Sequence, residues 1–144
     1  TDAQGATSPS ATTTVTVLAN TAPVVTAPLG GAVILNQQLV SPTATIVDDS
    51  SYLQRAVITI SNLQSGDNLT YTSSGGITGT YNSSTGVLTL TGLATVSDYQ
   101  SVLQSLKFSK SVLNLLSTRT ITMTVRDQQG LDSNTTSGIM TILL

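Results

Sequence analysis

Residues Thr118–Arg126 read TRTITMTVR. In an extended chain Ile121, Met123 and Val125 fall on one side, with Thr120, Thr122 and Thr124 on the other, because strand side chains alternate. One face is apolar and the other is a row of hydroxyls. Thr suits the second face, since its β-branch fits the pleat while its hydroxyl tolerates water. A strand with one buried face is the expected result. The same pattern spreads outward through Thr12–Leu18 (TTTVTVL), Gln54–Ser61 (QRAVITIS) and Gly86–Thr91 (GVLTLT). Shorter candidates are Pro23–Thr26, Ala32–Leu35, Ala44–Val47, Asn68–Thr72, Ile77–Tyr81, Leu106–Ser109 and Gly138–Leu144. Turn-forming clusters at Ser65–Asn68, Ser74–Gly76, Asn82–Gly86 and Asp127–Gly130 separate them. Many short strands with turns at this spacing predict an all-β sandwich with Greek-key connections.

One segment breaks the two-residue period. In Thr95–Leu106 (TVSDYQSVLQSL) the apolar positions Val96, Tyr99, Val102, Leu103 and Leu106 follow helical spacing. Ser97 is the expected N-cap, Gln100 completes a capping box, and Asp98 favours the first turn. One short helix, about residues 95–106, is expected across an end or edge of the sandwich.

Composition narrows the function classes. The 144 residues suffice for one sandwich domain with its own core, and 39% hydrophobic residues can supply that core. Aromatics are 3%, so the interior must be built from Val, Ile, Leu and Ala. Charged residues are 8%, while Ser and Thr make up roughly a third of the chain, far above ordinary usage. With a net charge of only −2, such a surface offers little long-range repulsion to neighbouring copies. Five scattered Lys and Arg give no nucleic-acid footprint. No stretch is long and apolar enough for membrane insertion as a helix. The chain has no His, no Cys and no Glu, which removes the usual nucleophile–base pairs, zinc sites and disulfides. Its glycine pairs, Gly30-Gly31 and Gly75-Gly76, are turn glycines and not phosphate loops. No enzymatic activity is expected. The hydroxyl-rich composition points to a secreted, extracellular, cell-surface setting.

An internal echo organises the chain. Asp2-Ala3-Gln4-Gly5, then Thr14-Val15-Thr16-Val17-Leu18, matches Asp127-Gln128-Gln129-Gly130, then Ile139-Met140-Thr141-Ile142-Leu143, without a gap. The shift is about 125 residues, a whole-domain period rather than a short solenoid one. Residues 1–18 therefore read as the closing turn and last strand of a preceding repeat, and 19–144 as one complete sandwich domain. A start at Thr1 is expected of a processed chain or of a piece of a longer one.

Several motifs carry a resemblance to a known family. Asn20-Thr21-Ala22-Pro23-Val24, Ala44–Ser50 (ATIVDDS), Ala56–Gly66 (AVITISNLQSG) and Ile77–Phe108 with its Asp98-Tyr99-Gln100 helix resemble the tandem repeats of large bacterial surface proteins. Those repeats are cadherin-like, of immunoglobulin type. Thr118–Gly130 (TRTITMTVRDQQG) is similar to their penultimate strand and final turn. The resemblance implies an immunoglobulin/cadherin-like β-sandwich serving as an extracellular spacer, stalk or adhesive segment, often stiffened by calcium. The linker Ala19–Pro23 departs from that pattern, since it carries no carboxylate.

Two sets of residues are candidate sites. Asp48, Asp49 and Asp127 are candidate calcium ligands if their loops meet at one end of the sandwich, since calcium takes six to eight oxygens. The alternative is that Asp48 and Asp127 cap their own turns. No other cofactor is expected. Thr12, Thr14, Val15, Val17 and Leu18 are the assembly candidates. They are either the last strand of a preceding domain or a donor strand that adds to a neighbour's sheet edge and links copies head to tail. Asn68, Asn82 and Asn134 head glycosylation sequons, which so hydroxyl-rich a chain also produces by chance. The expected function is a structural building block of an extracellular fibre, stalk or surface layer, with copies of itself as partners. The alternative is an adhesive module that recognises a surface glycan or protein through end loops such as Gly75–Ile77 or Asn82–Gly86. An exposed aromatic platform among Tyr71, Tyr81 and Tyr99 would favour that alternative.

Overall fold

The computed structural model describes residues 2–33, 37–111 and 117–142. It contains the strands β1 (Val24–Thr26), β2 (Gly30–Val33), β3 (Gln37–Leu39), β4 (Thr45–Val47), β5 (Tyr52–Ile60) and β6 (Asp67–Thr70). Beyond them come β7 (Thr78–Asn82), β8 (Val87–Thr95), α1 (Val96–Gln104), β9 (Lys107–Lys110), β10 (Ser117–Asp127) and β11 (Thr136–Ile142). A six-stranded sheet runs β2-β11-β10-β5-β8-β7, a three-stranded sheet β3-β9-β6, and β1 pairs with β4. All pairings are antiparallel except that of β11 with β2. The fold is an all-β sandwich with one short helix.

The strand quoted first lies inside the large sheet, between β11 and β5. Along β10 the buried positions alternate as Arg119, Ile121, Met123, Val125 and Asp127, and the Thr residues between them face outward. Leu53, Ala56, Ile58 and Ile60 of β5 and Leu88 and Leu90 of β8 extend the same apolar face. Phe108 of β9, Leu69 of β6, Ile46 of β4 and Tyr99, Val102 and Leu103 of α1 join it in one continuous core. With Phe108 the sole Phe and no Trp, aliphatic side chains fill most of this volume. That kind of core is held by close packing more than by a few large rings.

Glycine makes the parallel edge between β2 and β11 fit. β2 lies so close to β11 that a Cβ on Gly138 would strike the carbonyl of Leu29. Gly30, at φ +128°, would place a Cβ 2.6 Å from the Ile139 carbonyl oxygen. Both obstacles are backbone and cannot swing aside.

Several expectations need correction. The helix is capped by Thr95, not Ser97: Thr95 Oγ1 accepts from the Asp98 amide at 3.0 Å and donates to Asp98 Oδ2 at 2.8 Å. The capping pair is thus Thr95–Asp98, while the side chain of Gln100 turns away to accept from the Ile46 amide at 3.0 Å. Strand β8 continues through Thr95, so the helix starts where its extended backbone ends. Strand β3 has no signal in the sequence, because QQL carries no alternation. Thr12–Leu18 joins no strand: among the described residues the first begins at Val24. Alternation makes a segment fit for a sheet, but a ladder needs a free partner edge. Parts of two expected strands, Ile34-Leu35 and Leu143-Leu144, lie outside the described residues.

Candidate functional site

The chain enters the sandwich at one end and its last strand points to the other. Asn20 Nδ2 donates to Asp127 Oδ2 at 2.6 Å, at the C-terminal end of β10. β11 runs antiparallel to β10 and ends with Ile142 opposite Ser117, at the far end. This in-line arrangement sets up the two features expected to matter, the entry pole and the segment ahead of it.

At the entry pole the linker is pinned by side chains from two loops. Besides the Asn20–Asp127 bond, Ser50 Oγ donates to Asn20 Oδ1 at 3.2 Å, and the Thr21 amide donates to Asp49 Oδ2 at 3.1 Å. Asp127 Oδ1 accepts from the amides of Gln129 and Leu131, each at 2.9 Å, closing the β10–β11 turn. Burial alone would push the Asp127 carboxyl up, but the bonds from Asn20 and the amides of Leu131, Gln129 and Gly130 bring it below the ordinary value. Asp127 therefore caps its turn and also anchors the linker, whereas the turn cap expected of Asp48 does not form.

Asp48 behaves differently. Both its carboxylate oxygens are buried and neither has a hydrogen-bond partner. Burial, then the charges of Asp127 and Asp49, hold its carboxyl above the usual value. The structure thus brings Asp48 near the other two candidates, yet Asp49 and Asp127 are committed to the linker and the turn. Among the described residues no three acidic groups close into a metal-binding cluster.

Ahead of the pole, Thr12, Thr14, Val15, Val17 and Leu18 are all exposed. Val15 is 77% exposed, and Val17 and Leu18 are each 86% exposed. Three aliphatic side chains in a row of hydroxyls thus stand in water.

The loops named for adhesion are closed by their own bonds. Asn82 Oδ1 accepts from the amides of Ser84 and Thr85 at 2.9 and 3.2 Å. Ser74 Oγ donates to Asp98 Oδ1 at 2.9 Å, and Gly75 packs against the Asp98 side chain. The two loops also flank β7 on opposite ends, so they form no common face. Tyr99 is buried with its hydroxyl on the Gly92 carbonyl at 2.6 Å, and Tyr71 and Tyr81 pack against the core. Tyr52, at the entry pole, is the exposed tyrosine instead.

Sequence reasoning missed one cluster. Asp67, Lys110 and Arg119 are buried together at the far end. Lys110 Nζ lies 3.2 Å from Asp67 Oδ1, and Arg119 Nε lies 2.5 Å from Asp67 Oδ2. The Gln64 amide adds a bond to Oδ2 at 2.9 Å. The only signal was Arg119 itself, which shares the inward parity of Ile121, Met123 and Val125. Compared with known proteins, the chain matches no family model, no curated sequence and no solved structure.

Proposed function

We propose that this chain is a structural building block of an extracellular fibre, stalk or surface layer, a cadherin-like module of immunoglobulin type. It assembles through Thr12–Leu18, by tandem repetition or by strand addition between copies. One observation carries the reading: a segment with strand alternation lies exposed and outside every strand, while the described strands β1–β11 all pair with one another. Burying Val15, Val17 and Leu18 in a partner sheet would contribute about 1.5–3 kcal/mol each. The opposed ends for entry and last strand, and the low surface charge, support stacking of copies end to end. The lack of His, Cys and Glu supports a mechanical over a chemical role.

Light scattering and electron microscopy of the full chain, with and without residues 1–18, test this. Oligomers or filaments that vanish on deletion support strand addition. A monodisperse monomer in both forms rules that mode out and leaves covalent repetition alone.

Asp48 favours a second, narrower reading, in which calcium binds at the entry pole. Its two free oxygens would need further oxygens from Asp49 and from backbone carbonyls. Melting with and without millimolar calcium, in the wild type and in Asp48→Asn, separates the cases. A rise seen only in the wild type supports the site. No rise in either leaves Asp48 as an acid that ionises late.

A further inference from the structure

We infer that Asp2–Leu18 is the closing turn and last strand of a preceding copy of this same fold, and that its docking place is the slot between that copy's β2 and β10. The inference deepens the structural reading by naming the partner, but it stands even if free chains never form fibres.

Two turns carry it. Asp2 Oδ1 accepts from the amides of Gln4 and Ala6, both at 2.9 Å. Asp127 Oδ1 accepts from the amides of Gln129 and Leu131, both at 2.9 Å. The Gly5 amide donates to the Asp2 carbonyl at 3.1 Å, and the Gly130 amide to the Asp127 carbonyl at 3.2 Å. The Asp2 amide donates to the Ala6 carbonyl at 2.7 Å, and the Asp127 amide to the Leu131 carbonyl at 3.0 Å. Both turns close on a left-handed glycine, Gly5 at φ +84° and Gly130 at φ +96°. Asp-capped turns are common by themselves. What singles these out is that four bonds and a glycine recur at the one offset that also matches Ser8 with Ser133, Thr16 with Thr141 and Leu18 with Leu143.

The offset assigns the strand's faces. Val15 takes the place of Met140 and Val17 that of Ile142, the two buried positions of β11. Thr14 and Thr16 take the places of Ile139 and Thr141, which are not buried. The valines that stand in water here are therefore the inward row of a strand that belongs between β2 and β10. The preceding copy is not identical to this one. Thr13 falls on Gly138, where a Cβ would strike the Leu29 carbonyl. Pro9 falls on Asn134, whose side chain bonds both the amide and the carbonyl of Val25 at 2.9 Å. Its β1–β2 crossing must stand farther from its last strand than it does here.

A tandem protein tests the assignment. Residues 19–126 are placed directly ahead of Asp2 of the full chain, so that Arg126 runs into Asp2 as it does into Asp127. Pro9→Asn and Thr13→Gly restore the two mismatched contacts. A control joins residues 19–143 to a second 19–144. The assignment predicts an unfolding enthalpy about twice that of the single chain, because enthalpy scales with the number of folded residues. It also predicts amide exchange at Val15 and Val17 slowed roughly a thousandfold or more relative to the single chain. Val15→Asp should then lower melting of the tandem protein while leaving the single chain unmoved. Fast exchange at Val15 and Val17 with a single-copy enthalpy, beside a control that doubles, would overturn it.

Discussion

Replacing Asp67 by Asn removes one negative charge from a place where two cations converge. The side chains of Asp67, Lys110 and Arg119 are 0%, 3% and 2% exposed, so water cannot take over the lost charge. Asn keeps the size and one acceptor oxygen, which isolates the electrostatic effect from packing. Removing one member of a buried pair costs about 3–5 kcal/mol, because the remaining charge stays desolvated without compensation. That is a large share of the roughly 5–15 kcal/mol that stabilises a typical domain. For a domain of this size it corresponds to a fall in Tm of roughly 10–20 °C. Thermal and urea unfolding at pH 7, followed by circular dichroism, measures it. A companion variant, Asp67→Leu with Lys110→Met and Arg119→Met, should recover most of the loss, since it removes the desolvation together with the attraction. If Asp67→Asn costs less than about 1 kcal/mol, the cluster behaves like a surface pair and the reasoning is wrong.

Further outcomes follow from the helix cap, the entry pole and the parallel edge. Thr95→Ala should lower stability by about 1 kcal/mol through loss of the cap, whereas Ser97→Ala should stay within about 0.5 kcal/mol. Equal losses in chemical denaturation would reject the Thr95 assignment. The Asp98 carboxyl is held below the ordinary value of 3.8 by hydrogen bonds from Thr95 and Ser74, and Asp127 also lies below 3.8. Their contributions are complete above pH 3.8 and are lost as pH falls through the lower folded values. A pH–stability curve of Asp127→Asn should accordingly be flatter than wild type on the acid side. Asp48 runs the other way: its folded carboxyl is raised, so its ionisation destabilises the fold as pH climbs from 3.8 through that raised value. Asp48→Asn should melt higher than wild type at pH 7 without added calcium, with the gain gone below pH 3.8; a lower Tm at pH 7 would show that Asp48 has a partner. Gly138→Ala should cost about 1–3 kcal/mol because its Cβ meets the Leu29 carbonyl, and an unchanged urea midpoint would contradict that close approach.

Much of this molecule is legible in one dimension. The alternation in Thr118–Arg126 locates β10 and names its inward residues, because strand parity is a property of the backbone alone. Helical spacing over Thr95–Leu106 finds α1, although its cap is misplaced by two residues. That cap depends on where β8 stops, and pairing with β5, which places Thr95 opposite Tyr52, sets that point, not local propensity. The echo between residues 2–18 and 127–143 is likewise readable as sequence, and the matched turns give it a physical form.

Other features arise only when distant segments meet. Asp67, Lys110 and Arg119 lie on three strands, and nothing in their flanking residues announces that one carboxylate will hold two cations. Asn20 gains its role from Asp127 and Ser50, contacts across 107 and 30 residues of chain. Asp48, Asp49 and Asp127 look alike in sequence. Packing separates them, giving Asp127 and Asp49 hydrogen-bond donors and leaving the two carboxylate oxygens of the half-buried Asp48 covered with none. Thr12–Leu18 shows the same limit from the other side. Its residues are fit for a strand, but a strand exists only where an edge receives it, and that is a property of the assembled sheets.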